Sequence, residues 1–227
     1  MQLIGMLDSP YVRRVAISLQ LLGLPFEHRS ISVFRAFDEF ARINPVVKAP
    51  TLVCDEGDVL MDSTLILDYA EALAAPRKSL MPQAPAGRRR ALARLGLALA
   101  ACEKGVQIVY ERNVRPPEKL HEPWLDRVRG QLLAACSALD ADLRREPLAV
   151  DAATIDQAGI TAAVVWHFLR MAVPDAIDAA NFPALQAHSD TAERIPAFIA
   201  APHGATTMAV HAAGPGAAAV HPARGAR

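Results

Sequence analysis

The sequence reads QLIGMLDSPYVRRVAISLQLLG over residues 2–23. Its apolar beginning, residues 2–7, is typical of a short buried strand. Ser9 and Pro10 then favour a helix start, because a serine caps free backbone N–H groups and a proline suits the first helical position. Apolar residues recur at three- and four-residue spacing up to Gly23, a residue type common just after a helix end. The stretch therefore predicts a strand followed by a capped helix.

The next fifty residues alternate in the same way. The expected elements are a strand at 26–33, a helix at 37–43, hairpin strands at 51–54 and 59–61, and a helix at 63–74. The hairpin is indicated by Asp55-Glu56-Gly57-Asp58, a turn-forming run between two β-prone segments. This order of elements predicts a small α/β sheet layered with helices.

The second half of the sequence has a different pattern, with apolar residues at helical spacing only. The three apolar sets are Leu92, Leu95, Leu99, Cys102, Val106 and Val109; Leu125, Val128, Leu132, Cys136, Leu139 and Leu143; and Ile155, Ala158, Ala162, Val165 and Leu169. Each set predicts one side of a helix in a bundle. Thr154-Ile-Asp-Gln157 has the form of a capping box and predicts the start of the third helix.

Composition shifts divide the chain into four parts. We expect a first domain at 1–76, a linker at 77–87, a helical domain at 88–200 and a poorly ordered tail at 201–227. Three prolines at 76, 82 and 85, in a stretch without apolar periodicity, mark the boundary and the linker. A tail of mainly Ala, Gly and Pro lacks the residues that build a core.

Charge and cysteine content exclude several classes of protein. Lys plus Arg and Asp plus Glu both count 24, so the net charge gives no footprint for nucleic acid or an anionic membrane. Cys54, Cys102 and Cys136 form no CxxC pair and are expected to be reduced core residues.

No secretory signal is evident, and no apolar run reaches the roughly 18 residues needed to cross a bilayer. A cytoplasmic location is predicted, without a metal site, since the tail histidines His203, His211 and His221 have no Cys or carboxylate beside them.

Three segments of the first domain carry a family resemblance. They are SPYVRR at 9–14, NPVVKAPTL at 44–52 and LMDSTLI at 60–66. In order and spacing these segments resemble the glutathione transferase family, and bacterial members with Ser-Pro-Phe/Tyr-Val-Arg above all. The resemblance implies an α/β thioredoxin-like N-terminal domain plus an all-α helical-bundle C-terminal domain. It also implies a homodimer, and a role in detoxification in which glutathione attacks a small hydrophobic electrophile.

Asp62 and Ser63 are predicted to bind the γ-glutamyl end of glutathione. A hydroxyl, free N–H groups and the positive end of a helix dipole together suit a carboxylate, while the Asp62 carboxylate can hold the ammonium group. The alternative is simple helix capping by Ser63, with Asp62 complementing the dipole. Many family members have Glu where this chain has the shorter Asp62.

The Lys48-Ala49-Pro50 segment is predicted to bind the rest of glutathione. The resemblance implies a cis bond before Pro50, which would turn the Ala49 backbone toward the ligand for pairing in β fashion. Lys48 can reach the glycine carboxylate, and a solvated lysine is the alternative.

Ser9 is the predicted catalytic residue. The thiolate of glutathione is its nucleophilic form, and a hydroxyl donor at a helix N-terminus stabilises that anion. Helix capping is the alternative role of Ser9, and the two roles are compatible. No G-x-S-x-G elbow surrounds Ser9, so it is not the nucleophile of a hydrolase.

A pocket for the second substrate is expected between the domains, a usual place for a ligand cleft. Its candidates by position are Met6, Leu7, Tyr11, Tyr110 and Arg112. Core packing of Tyr110 and a surface charge at Arg112 are the alternatives, and Trp166 and Phe168 are assigned to the bundle core.

Other functions on the same fold stay open at this point. A glutathione-dependent reductase would need a cysteine where Ser9 stands, and a non-catalytic binding module would not need Ser9, Asp62 and Ser63 together. Isomerisation and dehalogenation would use the same thiolate as conjugation.

Overall fold

The computed structural model describes residues 1–204 and 206–208. The first domain contains β1 (Gln2–Ile4), α1 (Pro10–Leu22), β2 (Glu27–Arg29), α2 (Phe37–Ile43), β3 (Thr51–Val53), β4 (Val59–Met61) and α3 (Ser63–Ala74). This is the order of elements predicted from the sequence. The strands predicted at 2–7 and 26–33 are shorter in the structure. β1 ends because Gly5 turns the chain at φ 135°, and β2 ends where the Ile31 N–H donates back to the Arg29 carbonyl.

The four strands form one mixed sheet in the order β2-β1-β3-β4. β1 pairs in parallel with β2 and antiparallel with β3, placing Leu3 between His28 and Leu52. β3 and β4 form the predicted hairpin. Helix α1 connects the two parallel strands, as a parallel pair requires. The N-termini of α1 and α3 each directly follow a strand of this sheet.

The remainder of the described chain is helical. It contains α4 (Pro85–Asn113), α5 (Glu122–Arg145), α6 (Gln157–Ala172), α7 (Pro183–Ala192) and α8 (Pro196–Ile199), with short 3₁₀ turns at Pro117–Lys119 and Ala179–Asn181. The predicted all-helical domain is therefore confirmed. Its first helix begins three residues inside the predicted linker, because Pro85 occupies the first helical turn, where its missing N–H is tolerated.

Helix α4 buries part of the predicted stripe, Leu95 and Cys102, together with residues outside it. Leu92 is half exposed, whereas the buried positions include Ala98, Ala101 and Gly105. A Cβ at Gly105 would lie 2.4 Å from Leu169 Cδ2, so the glycine allows α4 and α6 to pack closely. The predicted stripe on α5, from Leu125 to Leu143, is buried as expected.

The cap of α6 also differs from the prediction. Asp156, not Thr154, is the N-cap, and its side chain accepts from the Gly159 N–H at 2.8 Å. Thr154 lies in the preceding turn, where Asp151 accepts from the Ala153 N–H at 2.9 Å and from the Thr154 hydroxyl. Both acidic residues compete better than threonine for free N–H groups at these positions.

Two consecutive arginines on α1 join the domains. Arg13 is buried and makes a two-bond ion pair with Glu193, at 2.6 Å for each bond, while its Nε donates to the Ala201 carbonyl at 2.8 Å. Arg14 turns the other way, and its Nε donates to Thr161 Oγ1 on α6 at 3.1 Å. The Gln157 N–H donates to the Leu80 carbonyl at 2.8 Å, which ties the linker to α6.

The described part of the predicted tail contacts the first domain. Ala201 and Met208 are buried, and the Met208 N–H donates to His28 Nδ1 at 3.1 Å. Position 205 and residues 209–227, including His211 and His221, lie outside the described residues. All three cysteines are free and buried, as predicted. Within the part of the chain that the structure describes, every helix is too short or too polar to cross a bilayer.

Candidate functional site

A cavity of about 840 Å³ opens between the first domain and helices α4 and α6. Backbone and polar side chains from the two helix starts and the segment before β3 form one part of its wall. Apolar side chains form the opposite part. The polar part includes Ser9, Lys48, Ala49, Pro50, Asp62 and Ser63, and the apolar part includes Phe34, Val106, Val109, Tyr110 and Phe168.

Ser9 is the N-cap of α1 and lines the cavity. Its Oγ accepts from the Val12 N–H at 3.4 Å, and its own N–H donates to the Met6 carbonyl at 3.2 Å. A hydroxyl has one proton to donate beside its lone pairs. Capping therefore leaves the Ser9 proton available to an acceptor in the cavity.

Asp62 is the N-cap of α3 and Ser63 its first residue, so the capping role considered for Ser63 belongs to Asp62. Asp62 has φ 74° and accepts from the Thr64 N–H at 2.9 Å. Lys48 Nζ lies 3.4 Å from its other carboxylate oxygen. Partial burial acts to raise the pKa of Asp62, but the Thr64 N–H and the Lys48 ammonium outweigh burial and hold that pKa below its usual value. The carboxylate is therefore charged at neutral pH.

Arg14 lies behind the start of α3. Its Nη1 donates to Ser63 Oγ at 3.1 Å and to Thr64 Oγ1 at 3.4 Å. Burial lowers its pKa to about 10, which still leaves the guanidinium charged at neutral pH. Since Ser63 accepts from Arg14, its own proton is free for a ligand. No role was predicted for Arg14 from the sequence. Two adjacent arginines on an apolar helix are nevertheless a signal, because a buried arginine requires a polar partner.

The segment before β3 presents backbone to the cavity. The Ala49–Pro50 peptide bond is cis, as the resemblance implied. Thr51 Oγ1 donates to the Lys48 carbonyl at 2.7 Å and holds the segment in place. The backbone of Ala49 is thereby positioned on the wall between the starts of α1 and α3.

Two candidates for the second-substrate pocket are wrong. Leu7 is fully buried in the core of the first domain, so it cannot contact a ligand in the open cavity. Arg112 is absent from the wall, and it donates to Asp175 at 2.8 Å in an ion pair on the helical domain. Tyr11, Tyr110 and Met6 do line the cavity. Burial, with Cys102 beside it, raises the pKa of Tyr11, which is therefore a neutral phenol.

Several residues that line the cavity were not among those predicted for the second-substrate pocket. Val106 and Val109 were assigned to a buried stripe, but they are only partly buried and line the cavity. Phe168 is buried in the core of the helical domain, as predicted, and also lines the cavity. Phe34 and Arg35 precede α2 in a stretch without periodicity or motif, so no sequence signal marked them. The Phe34 and Tyr110 rings meet edge to face with centroids 5.6 Å apart, joining the two domains over the cavity.

Comparisons with known proteins agree with this geometry. Residues 3–78 match the family model for the glutathione S-transferase N-terminal domain. The chain is 30% identical over 175 residues to the uncharacterized GST-like protein YibF of Escherichia coli K12, spanning 77% of this chain and 85% of that protein. The chain belongs to the glutathione S-transferase family. Its fold is accordingly a thioredoxin-like domain followed by a helical domain.

Solved structures of bacterial relatives share the whole fold. A glutathione transferase family member from Pseudomonas fluorescens Pf-5, with bound S-(propanoic acid)-glutathione, is 30% identical with a TM-score of 0.73, covering 88% of this chain and 98% of that one. A glutathione S-transferase from Methylobacterium radiotolerans, in complex with glutathione sulfonate, is 29% identical with a TM-score of 0.77, covering 90% and 96%. Glutathione derivatives thus bind to close structural relatives of this chain.

Proposed function

We propose that the chain is a glutathione transferase that binds glutathione along the polar wall of the cavity. The observation that carries this proposal is the placement of the Ser9 hydroxyl, the α3 N-terminus and the Ala49 backbone around one cavity. Ser63, supported by Arg14, receives the γ-glutamyl carboxylate, and Asp62 receives the ammonium group. The Ala49 backbone pairs with the cysteinyl residue, and Lys48 receives the glycine carboxylate.

This arrangement directs the thiol toward Ser9. The hydroxyl donates to the thiolate in a charge-assisted hydrogen bond, and the N-terminus of α1 adds the favourable end of a helix dipole. Both effects lower the pKa of the bound thiol, so more of it is ionised at neutral pH. The sulfur then forms a bond to an electrophilic carbon, and the leaving group departs with the electrons of the bond that breaks. Ser9 itself forms no covalent bond.

Titration of bound glutathione tests this proposal. The ultraviolet absorbance of the thiolate is followed against pH in the wild type and in Ser9→Ala. We expect a lowered thiol pKa in the wild type that returns toward the free value in the variant. Binding without a lowered pKa would point to a glutathione carrier, and absence of binding at millimolar glutathione would leave a non-catalytic module.

Ser63→Ala separates binding from activation. Loss of a hydrogen bond to a charged carboxylate costs about 1.5–3 kcal/mol. Calorimetry should therefore show a glutathione Kd raised at least tenfold, while the pKa of the bound thiol stays near the wild-type value. Equal losses of affinity in Ser9→Ala and Ser63→Ala would contradict these role assignments.

We propose further that the protein is a cytoplasmic homodimer with a detoxification role. The family resemblance supports the dimer, as do two exposed leucines, Leu65 on α3 and Leu92 on α4. Three free, buried cysteines support a reducing compartment. Sedimentation at micromolar concentration tests the dimer: a monomer would overturn it, and Leu92→Glu should dissociate it if this face is the interface.

A further inference from the structure

Four charged side chains lie on the cavity wall, and one of them is a cation for which the described residues supply no acidic partner. Lys48 pairs with Asp62 at 3.4 Å, and Asp8 acts electrostatically on His203. Among the described residues, no carboxylate oxygen lies within 4.0 Å of the Arg35 guanidinium. The Arg35 guanidinium makes a long contact, from Nη2 to Met6 Sδ at 3.8 Å. Arg35 therefore presents an unpaired positive charge to the cavity.

Arg35 lies between the reacting end and the apolar wall. Met6, which it contacts, also accepts the Ser9 N–H through its carbonyl. The preceding residue, Phe34, packs edge to face on Tyr110 at 5.6 Å. A flat ring resting on these two aromatic residues would lie in the cavity that Ser9 and Arg35 both line.

Glutathione offers no charge for Arg35 to neutralise. In the binding mode proposed above, its two carboxylates go to the α3 N-terminus and to Lys48, and its ammonium group goes to Asp62. In this binding mode no charged group of glutathione binds Arg35. An arginine guanidinium with free donors favours a carboxylate, which it can bind through two N–H groups.

We propose that Arg35 is a specificity determinant for the second substrate, which belongs to the class of aromatic electrophiles bearing a carboxylate. This inference rests on the proposed glutathione transferase function. The Phe34–Tyr110 pair contacts the ring, and Arg35 holds the carboxylate. In the reaction, the thiolate sulfur bonds to a ring carbon that carries a halide, the carbon–halogen bond breaks and the halide leaves with its electron pair. The thiol proton has already gone to solvent, and no oxidation occurs.

A matched pair of chromogenic substrates tests the proposal. 4-Chloro-3-nitrobenzoate carries the carboxylate, and 4-chloro-3-nitrobenzamide replaces it with a neutral group of similar shape. For Arg35→Gln we expect kcat/KM for the acid to fall about fivefold, mainly through KM, as suits a charge-assisted bond at an exposed site. The amide should change less than twofold. Arg35→Lys should recover part of the loss, and Arg42→Gln, which removes an exposed arginine of α2 away from the wall, should behave like the wild type.

Three outcomes would overturn the proposal. One is an equal loss for acid and amide in Arg35→Gln. Another is a raised KM for glutathione in that variant, which would place Arg35 on glutathione instead. The third is a wild type that binds the amide more tightly than the acid, since the amide is intrinsically the more reactive of the two and turnover alone does not compare binding.

Direct binding resolves the case in which neither compound is turned over. Calorimetry of the acid and the amide against protein loaded with S-methylglutathione should then show a preference for the acid that Arg35→Gln removes, and no such preference would overturn the proposal. Failure of the proposed function is distinguished by titration with glutathione alone, which would show no binding.

Discussion

Helices α1 and α3 both begin at the cavity, but their N-cap residues differ in charge. The N-cap of α1 is the neutral hydroxyl of Ser9, whereas the N-cap of α3 is the carboxylate of Asp62. Each helix start carries partial positive charge from its free N–H groups. At α1 the cap adds a donor, so this end favours an anion such as a thiolate. At α3 the cap adds an acceptor, so this end can hold a zwitterion. The cap residue thus sets which charges an otherwise similar helix end will bind.

Different side chains also hold the N-termini of α1 and α3 in place, on the side away from the cavity. His28 Nε2 donates to the Gly5 carbonyl at 2.7 Å, within the turn that leads to α1. Arg14 donates to Ser63 at the start of α3. A histidine titrates between about pH 5 and 8, whereas an arginine stays charged there. Protonation of His28 leaves the Gly5 bond in place but removes the Nδ1 acceptor of the Met208 N–H, so the His28 support changes with pH and the Arg14 support does not.

The largest expected effect comes from removing the neutral cap. Ser9→Ala should lower kcat about 100-fold, the scale of losing one donor to a developing anion, with little change in glutathione Kd. Ser9→Gly is the matched variant, because glycine lacks the hydroxyl but is a far better N-cap than alanine. Both should lose the same turnover, while urea unfolding shows a loss of about 1 kcal/mol in Ser9→Ala alone. A turnover loss in Ser9→Ala that Ser9→Gly restores would make Ser9 a structural cap only.

The next largest effect concerns the support behind α3. Arg14→Met leaves the Ser63 and Thr161 hydroxyls without their charged donor, so the free energy of unfolding should fall by about 2 kcal/mol. Calorimetry should also show weaker glutathione binding with an unchanged thiol pKa. Arg13→Met is the control, since Arg13 is equally buried but pairs with Glu193 away from the cavity. It should lose stability and keep glutathione affinity. Equal losses of affinity in both variants would contradict a local role for Arg14.

Asp62→Asn tests the charged cap. Asparagine also caps helices and tolerates positive φ, so the free energy of unfolding should stay nearly constant. Glutathione Kd should rise about tenfold through loss of the charge-assisted bond to the ammonium group. Because the pKa of Asp62 lies below its usual value, the wild-type affinity should hold steady from about pH 7 down to about pH 5. A loss of affinity within that range would show that another group binds the ammonium.

The smallest effect is the pH dependence at α1. His28 is neutral, since Nε2 donates to Gly5 and Nδ1 accepts from the Met208 N–H. Burial lowers its pKa, so the unfolded chain, with a pKa of about 6.5, binds the proton first. The free energy of unfolding should thus be constant above about pH 7 and fall as the pH drops below about 6.5. His28→Gln should reduce that slope only in part, because burial also lowers the pKa of His188. An unchanged slope in His28→Gln would remove His28 from this account.

The sequence predicted most of the first domain and less of the site. Local signals, such as Ser9-Pro10 and the hairpin turn at 55–58, place elements correctly because each acts within a few residues. The α4 stripe was predicted only in part, and the cause is tertiary. Close packing on α6 buries Gly105, which the predicted stripe did not include, whereas Leu92 stays exposed. Arg35 could not be found because its importance depends on which charges surround it in space.

The arginine pair on α1 bears on how such a protein can be divided. Residues 3–78 form the part that matches the family's N-terminal domain, yet the acceptors for Arg13 and Arg14 include Glu193, Ala201 and Thr161. A fragment cut after residue 78 would carry two guanidinium groups on α1 stripped of those acceptors, beside an uncovered apolar face. The segment that matches the family's N-terminal domain therefore depends on acceptors outside it, and a chimera that exchanges the first domain should carry matching acceptors in the second.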